Sequence, residues 1–151
     1  MADSALGTNI ATQIAIVVRD IDGTAQAWAD LLGVPKPEIR ITNPVELAHT
    51  EYEGSPTEAQ AKLAFFNMGQ VTLELIEPIG EPSTWNDQLQ EAGQSLHHIA
   101  FKVQGMKDRL PELRDLGLPL VQRGDYTGGR YAYLDGRKKY GAVIELLEND
   151  N

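Results

Sequence analysis

The chain has 151 residues, 42% of them hydrophobic and 23% charged, and no cysteine. That usage fits one globular domain, or two small halves sharing a core. It excludes a disordered chain, a fibrous repeat, a coiled coil, disulfides, thiolate zinc sites and a cysteine nucleophile. Thirteen Lys and Arg against 22 Asp and Glu leave a net charge of −9, which repels phosphate backbones and argues against nucleic acid as a partner.

Residues 1–13 contain no basic stretch and no long apolar run, so no secretory signal is expected. No run elsewhere reaches the roughly 20 apolar residues of a membrane span, and a cysteine-free chain fits a reducing cytoplasm. Residues 12–18 alternate as a strand does, and a helix is expected over 22–32 with Asp22 as its N-cap. Leu32-Gly33-Val34-Pro35 is a helix stop, because Gly takes the left-handed cap and Pro cannot continue the helix. Residues 38–61 are polar, with Pro44, Gly54 and Pro56. Ile39 and Ile41 suggest a short strand there, and the remainder reads as a long loop, a common seat of function. Residues 65–69 leading into 71–78 read as a hairpin. A polar joint spans about 80–94. A second alternating strand covers 97–103, and a helix follows over about 107–116, where Pro111 implies a late start or a distortion. Leu116-Gly117-Leu118-Pro119 is a second helix stop. A Gly-rich turn over 124–131 leads into a last hairpin over 131–149, within which Arg137-Lys138-Lys139 reads as a solvated turn.

The order repeats itself. Each half opens on a side chain able to ligate a metal, Gln13 or His98, followed by Ile-Ala (Ile14-Ala15 and Ile99-Ala100). Alternation places Gln13 on a face with Ala15 and Val17, and His98 on a face with Ala100 and Lys102. Ile14, Ile16 and Val18, and likewise Ile99, Phe101 and Val103, face the helices. Glu74 alternates away from Leu73 and Leu75, and Glu145 away from Ile144 and Leu146. The matching pair Glu77 and Glu148 is expected on the solvent face. If the halves pack about a pseudo-twofold axis, Gln13, Glu74, His98 and Glu145 converge on one point. Three oxygens and one nitrogen, with two carboxylates to balance a divalent charge, suit Zn, Ni, Co, Mn or Mg with water in open positions. A buried Glu without a cation would face a large desolvation cost.

The motif Leu96-His97-His98-Ile99-Ala100-Phe101 and the strand over 71–80 resemble the metal strands of methylmalonyl-CoA epimerases. From about Thr12 to Glu148 the chain resembles the vicinal oxygen chelate superfamily, which also includes glyoxalase I, extradiol dioxygenases and bleomycin-resistance proteins. The resemblance implies an α+β fold of two βαβββ modules in tandem, about 10–80 and 95–149, forming a cup-shaped mixed sheet around a metal site. It implies His98 as a ligand, with His97 on the opposite side of the strand, and Glu145 as the last ligand. Epimerases usually carry His at the place of Gln13, whereas the set Gln, Glu, His, Glu is similar to that of eukaryotic-type glyoxalase I. An extradiol dioxygenase is disfavoured, since its iron needs two His and one Glu.

The implied activity is proton abstraction next to a carbonyl by a metal-dependent isomerase, epimerase or lyase, most like methylmalonyl-CoA epimerase. The alternatives are glyoxalase I (lactoylglutathione lyase) and, in another class, a metal-free ligand-sequestering resistance protein. The substrate would be a small carbonyl compound or thioester. Glu145 is the first candidate for the base and Glu74 the second, ahead of the loop acids Glu46, Glu51 and Glu53; His49 reads as a loop residue. Arg130, Tyr131 and Tyr133 are candidate substrate contacts, Arg130 for a carboxylate or phosphate. A homodimer is expected, because a half cup leaves open sheet edges and relatives with this layout are commonly dimeric.

Overall fold

The computed structural model describes residues 4–151. In chain order the elements are β1 (Ala11–Val17), α1 (Ile21–Leu32), β2 (Arg40–Ile41), α2 (Val45–Ala48), β3 (Glu51–Tyr52), β4 (Ser55–Pro56), β5 (Gln60–Asn67) and β6 (Thr72–Ile79). There follow α3 (Thr84–Ala92), β7 (Ser95–Lys102), α4 (Met106–Asp115), β8 (Leu120–Tyr126), β9 (Gly129–Leu134) and β10 (Val143–Asn149). All ten strands join one sheet, in the order β2-β5-β6-β1-β7-β10-β9-β8-β3-β4, curled into a half-barrel. The modules β1-α1-β2-β5-β6 and β7-α4-β8-β9-β10 meet at an antiparallel seam between β1 and β7. Each seam strand pairs in parallel with the last strand of its own module, β1 with β6 and β7 with β10. The α+β cup expected from the sequence is the fold observed.

Helices α1 and α4 cover the convex face. Ile21, Ala25 and Ala29 recur every four residues and make one buried stripe on α1, which packs on Val18, Phe66, Leu73 and Leu75. Met106 and Leu113 of α4 pack on Ala132, Leu134 and Leu146. Burying a side chain such as Ile21 or Leu146, each 0% exposed, stabilises the fold by about 1.5–3 kcal/mol. A third cluster, including Ala15, Val17, Ile76, Trp85, Tyr133 and Val143, lies on the concave face. It forms the floor of the cup.

Several local expectations need correction. The N-cap of α1 is Asp20, whose carboxylate accepts the Gly23 N–H at 3.3 Å; Asp22 instead pairs with Lys36. Helix α4 spans Met106–Asp115, close to the expected 107–116, and contains Pro111 without a late start. Glu77 and Glu148 are not idle solvent-facing acids. Glu77 accepts the Ile21 N–H at 3.0 Å and so caps α1 from the sheet. Glu148 accepts the Gly105 and Met106 N–H groups at 2.6 and 3.2 Å and caps α4 in the same way. The duplication therefore extends to the helix starts. The joint contains α3, capped by Ser83, whose hydroxyl accepts the Asn86 N–H at 3.0 Å.

The segment read as a long loop is a strap. It leaves the β5 edge through β2, turns through α2, and reaches the other edge, where β3 pairs with β8. Tyr52 donates to Asp87 on α3, and Arg123 donates to the His49 carbonyl at 3.0 Å, fastening the strap at both points. Both sheet edges end in two-residue strands, and Pro56 removes an N–H from the outermost one. Short edges of this kind discourage strand pairing between chains, although β2 and β3 each pair with only two residues of β5 and β8, which leaves the rest of those strands without a ladder partner on the outer side. Among the described residues, no helix is long and apolar enough to cross a membrane.

Candidate metal centre

Two irregularities at the seam build the site. Ala15 faces His98 while Ile16 faces Leu96, so His97 is an extra, bulged residue on β7. Gln13 faces Ala100 while Ala11 faces Phe101, so Thr12 is the extra residue on β1. The two bulges occupy equivalent places in the modules, each just before a predicted ligand. A bulge bends its strand and re-aims its side chains. The repeated Ala has a related role. Ala15 lies beside both Glu74 and His98 in the register, and Ala100 beside both Gln13 and Glu145. Each is 0% exposed, and a methyl group there leaves the longer side chains room to meet above it.

Glu74, His98 and Glu145 do meet. The His98 Nε2 atom lies 3.2 Å from Glu74 Oε1 and 3.2 Å from Glu145 Oε1. The three residues are 6%, 0% and 4% exposed. Yet none of these three atoms has a hydrogen-bond partner. Orphaned, mutually adjacent, buried donor atoms are what a cation cage has before the cation is counted. The spacing agrees: ligands at about 2.1 Å from a shared ion sit about 3.0 Å apart in an octahedron and about 3.4 Å in a tetrahedron. The donor set of one imidazole and two carboxylates therefore fits a divalent ion.

Electrostatics within the metal-free triad tell the same story. Burial pushes His98 down, but Glu145 and Glu74 outweigh it, and the imidazole is pushed up to about 10. The two carboxylates thus favour positive charge at this point, as they would favour a cation. Burial raises the Glu145 carboxyl above its ordinary range, against the opposing pull of His98. Burial, and then the neighbouring His98, holds His97 well below the usual imidazole range, so His97 is neutral.

The triad opens on a cavity of about 510 Å³, a size suited to a small ligand or part of a larger one. Gln13 lines this cavity with Glu74 and Glu145. So do Leu63 and Phe65 from the first module, Tyr126, Tyr131 and Tyr133 from the second, and Arg40, Thr42 and Asn43 from the strap. Tyr133 lies directly opposite Glu145 in the β9–β10 register. Its hydroxyl oxygen accepts the Trp85 Nε1–H at 3.0 Å, and burial raises its pKa well above the usual range. The Tyr131 hydroxyl oxygen accepts from Gln122 at 3.0 Å, and the Gln122 carbonyl oxygen is taken by the Thr84 N–H at 2.8 Å.

Of the predicted site residues, then, the structure gathers Glu74, His98 and Glu145, puts Gln13, Tyr131 and Tyr133 on the same cavity, and leaves Arg130 out. Alternation along β9 turns Arg130 to the other face, where it pairs with Glu148 and Asp150. Glu46, Glu51 and Glu53 are absent from the cavity wall. His97 differs from expectation as well: the bulge brings its ring against that of His98, with the two Nδ1 atoms 2.8 Å apart. Sequence reasoning overlooked Thr84, Trp85 and Gln122, which hold the site's aromatic and imidazole groups from behind. The one available signal was Trp85, an isolated large aromatic in a polar joint.

A family model described as the glyoxalase/bleomycin resistance protein/dioxygenase superfamily matches residues 12–133. The chain is 36% identical over 94 residues to an uncharacterized protein, YqjC, of Bacillus subtilis strain 168, covering 60% of this chain and 67% of that one. It is similar in structure to a hypothetical protein of Bacillus halodurans C-125, with a TM-score of 0.64 and 23% identity over 93% of this chain and 94% of that one. It is also similar to a variant of Streptomyces coelicolor methylmalonyl-CoA epimerase in complex with 2-nitronate-propionyl-CoA. There the TM-score is 0.63 and the identity 21%, over 95% and 99% of the two chains. These two structural likenesses concern the fold. The family match, over most of the length of the chain, shows that the chain belongs to the glyoxalase/bleomycin resistance protein/dioxygenase superfamily.

Proposed function

We propose that this protein is a metal-dependent isomerase or epimerase, or a lyase using the same chemistry, that removes a proton next to a carbonyl of a small thioester or related carbonyl compound. The observation that carries the reading is the set of three buried, unpartnered donor atoms of Glu74, His98 and Glu145 beneath the cavity. Gln13 completes the ligand set. One divalent ion held there (Zn, Ni, Co, Mn or Mg) supplies positive charge that favours negative charge developing on a substrate oxygen.

Glu145 is the proton acceptor in this reading. It lines the cavity and is 4% exposed, so it can reach a proton of a bound substrate with little competition from water. Tyr133 steadies it. The Tyr133 oxygen is already engaged by Trp85, so its own proton is available to the carboxylate across the strand pair. Glu74 is the second candidate for the base. Tyr131, with its oxygen held by Gln122, offers its proton to a substrate oxygen, and Leu63 and Phe65 provide an apolar wall. The complex of the Streptomyces enzyme with an acyl-CoA analogue supports a thioester. A second reading, glyoxalase I chemistry on a hemithioacetal of glutathione, draws on Gln13, which stands where epimerases usually carry His.

The test is proton exchange in deuterated water. Metal-loaded protein is incubated with methylmalonyl-CoA, with other acyl-CoA thioesters and with the glutathione hemithioacetal of methylglyoxal. Deuterium entering the carbon next to the carbonyl is expected for one of these classes. A metal-loaded protein that exchanges none of them contradicts the reading.

A further inference from the structure

We propose that His97 is the positioning residue of the metal centre, and that it fixes His98 as an Nε2 ligand through a one-way chain of hydrogen bonds ending on Thr84. The proposal rests on the metal reading of the triad. It goes beyond that reading by assigning a role to a side chain outside the cage.

The geometry dictates the direction of each bond. His98 turns Nε2 toward Glu74 and Glu145 and Nδ1 toward His97. Two imidazole nitrogens 2.8 Å apart share one proton, so one ring donates and the other accepts. A neutral imidazole that ligates through Nε2 has no proton there and must carry it on Nδ1. His98 is then the donor, and His97 Nδ1 the acceptor. That puts the remaining proton of His97 on Nε2, which lies 3.1 Å from the Thr84 hydroxyl oxygen. Thr84 is itself anchored, since its backbone N–H donates to Gln122 at 2.8 Å. Each ring has one tautomer that satisfies every contact.

The arrangement depends on the bulge. In a regular strand His97 would turn its side chain away from the side that His98 faces. As the extra residue it packs edge-on to the His98 ring, with centroids 5.1 Å apart, and is 1% exposed. The equivalent residue of the first module does something different: the Thr12 hydroxyl donates to the Ala100 carbonyl at 3.3 Å, a bond to the neighbouring strand. The duplicated bulge is thus used structurally on one side of the seam and for ligand orientation on the other. The linking helix α3 gains a role, because its first residue terminates the chain of bonds.

The experiment compares zinc affinity, by chelator competition, in the parent protein, His97→Leu, His97→Asn and Thr84→Val. His97→Leu removes the acceptor and fills the space; His97→Asn returns an oxygen acceptor near the position of Nδ1. We expect His97→Leu to lose about 10–100-fold in zinc affinity, the usual range for partners of metal-bound His. His97→Asn should recover most of the loss, and Thr84→Val should show a smaller one. Equal affinity in His97→Leu and the parent overturns the proposal and leaves the cage intact, as does a His97→Asn variant no better than His97→Leu. A parent protein that binds no zinc overturns the cage and the proposal together. Nitrogen NMR of the zinc-loaded parent gives a readout without any variant. His98 should carry its proton on Nδ1 and His97 on Nε2, and a proton on His97 Nδ1 overturns the assignment.

Discussion

The two modules agree in the acidic side chains they aim into the cup and differ in the walls around them. Both have a bulge just before Gln13 or His98, a buried Ala beneath the longer side chains, a Glu on the last strand aimed into the cup, and a second Glu capping the module's helix. The walls of the cup are unlike. The first module presents Leu63 and Phe65, and the second Tyr131 and Tyr133, whose hydroxyl oxygens are held from behind by Gln122 and Trp85. Duplication supplies a symmetric cage, and divergence makes its two carboxylates unequal: Glu145 has a hydroxyl-bearing wall opposite it, whereas Glu74 faces Phe65 across the β5–β6 pair.

The comparison is broken most completely at the cage. His98→Ala and Glu74→Ala should each purify without a bound divalent ion while keeping the folded far-UV signature, as read by elemental analysis and circular dichroism. Ala100→Leu should have the same effect from beneath, by occupying the space over which Gln13 and Glu145 approach.

The next largest effect sharpens the difference between the carboxylates. Glu145→Gln keeps an oxygen donor of the same length and removes the base. It should retain much of its metal and lose proton exchange by about 10²-fold or more, the range general bases usually supply. Glu74→Gln should lose less. Equal losses would make the halves chemically symmetric and remove the reason for choosing Glu145. By contrast, Gln13→His should keep a ligand and retain substantial activity.

A third effect concerns pH. In the metal-free protein the folded-state pKa of His98, about 10, lies above the ordinary 6.5. The stabilisation that this proton gives is complete below about pH 6.5 and is lost as the pH rises through about 10. Glu145, also raised, acts in the same direction. Thermal unfolding of the metal-free protein should therefore shift to lower temperature as the pH climbs from neutral toward 10. Zinc should flatten that slope, because the cation takes over the role of the proton.

The smallest effect lies at the helix caps. Glu148 receives two backbone N–H groups and Arg130, which together outweigh burial and hold its carboxyl below the ordinary range. Glu77 receives one backbone N–H and Lys62. Glu148→Ala should cost about 1–2 kcal/mol, and Glu77→Ala about 1 kcal/mol or less, in denaturant titrations.

The cup was legible because alternation in β6 and β10 leaves little choice about which way Glu74 and Glu145 point, and because Ile-Ala recurs in both seam strands. The position of His97 was not, since a bulge is set by how two strands pair and leaves alternation along one strand unchanged. The facing of Arg130 was unreadable for a simpler reason: a Gly-rich turn does not reveal the parity of the strand that follows it. The strap was unreadable as structure, because two-residue strands such as β2 and β3 owe their form to the edges they join rather than to their own sequence. Glu77 and Glu148 looked like solvent-facing acids because a cap donated from the sheet to a helix far along the chain has no local spacing to betray it.

Every role proposed for the cup depends on Glu74, His98 and Glu145 holding one divalent ion. Crystals grown with zinc and measured at the zinc absorption edge test it directly. A single anomalous peak per chain is expected, at about 2.0–2.2 Å from His98 Nε2 and from one oxygen of each glutamate. Anomalous scattering elsewhere on the chain, or none in a zinc-saturated crystal, would contradict it.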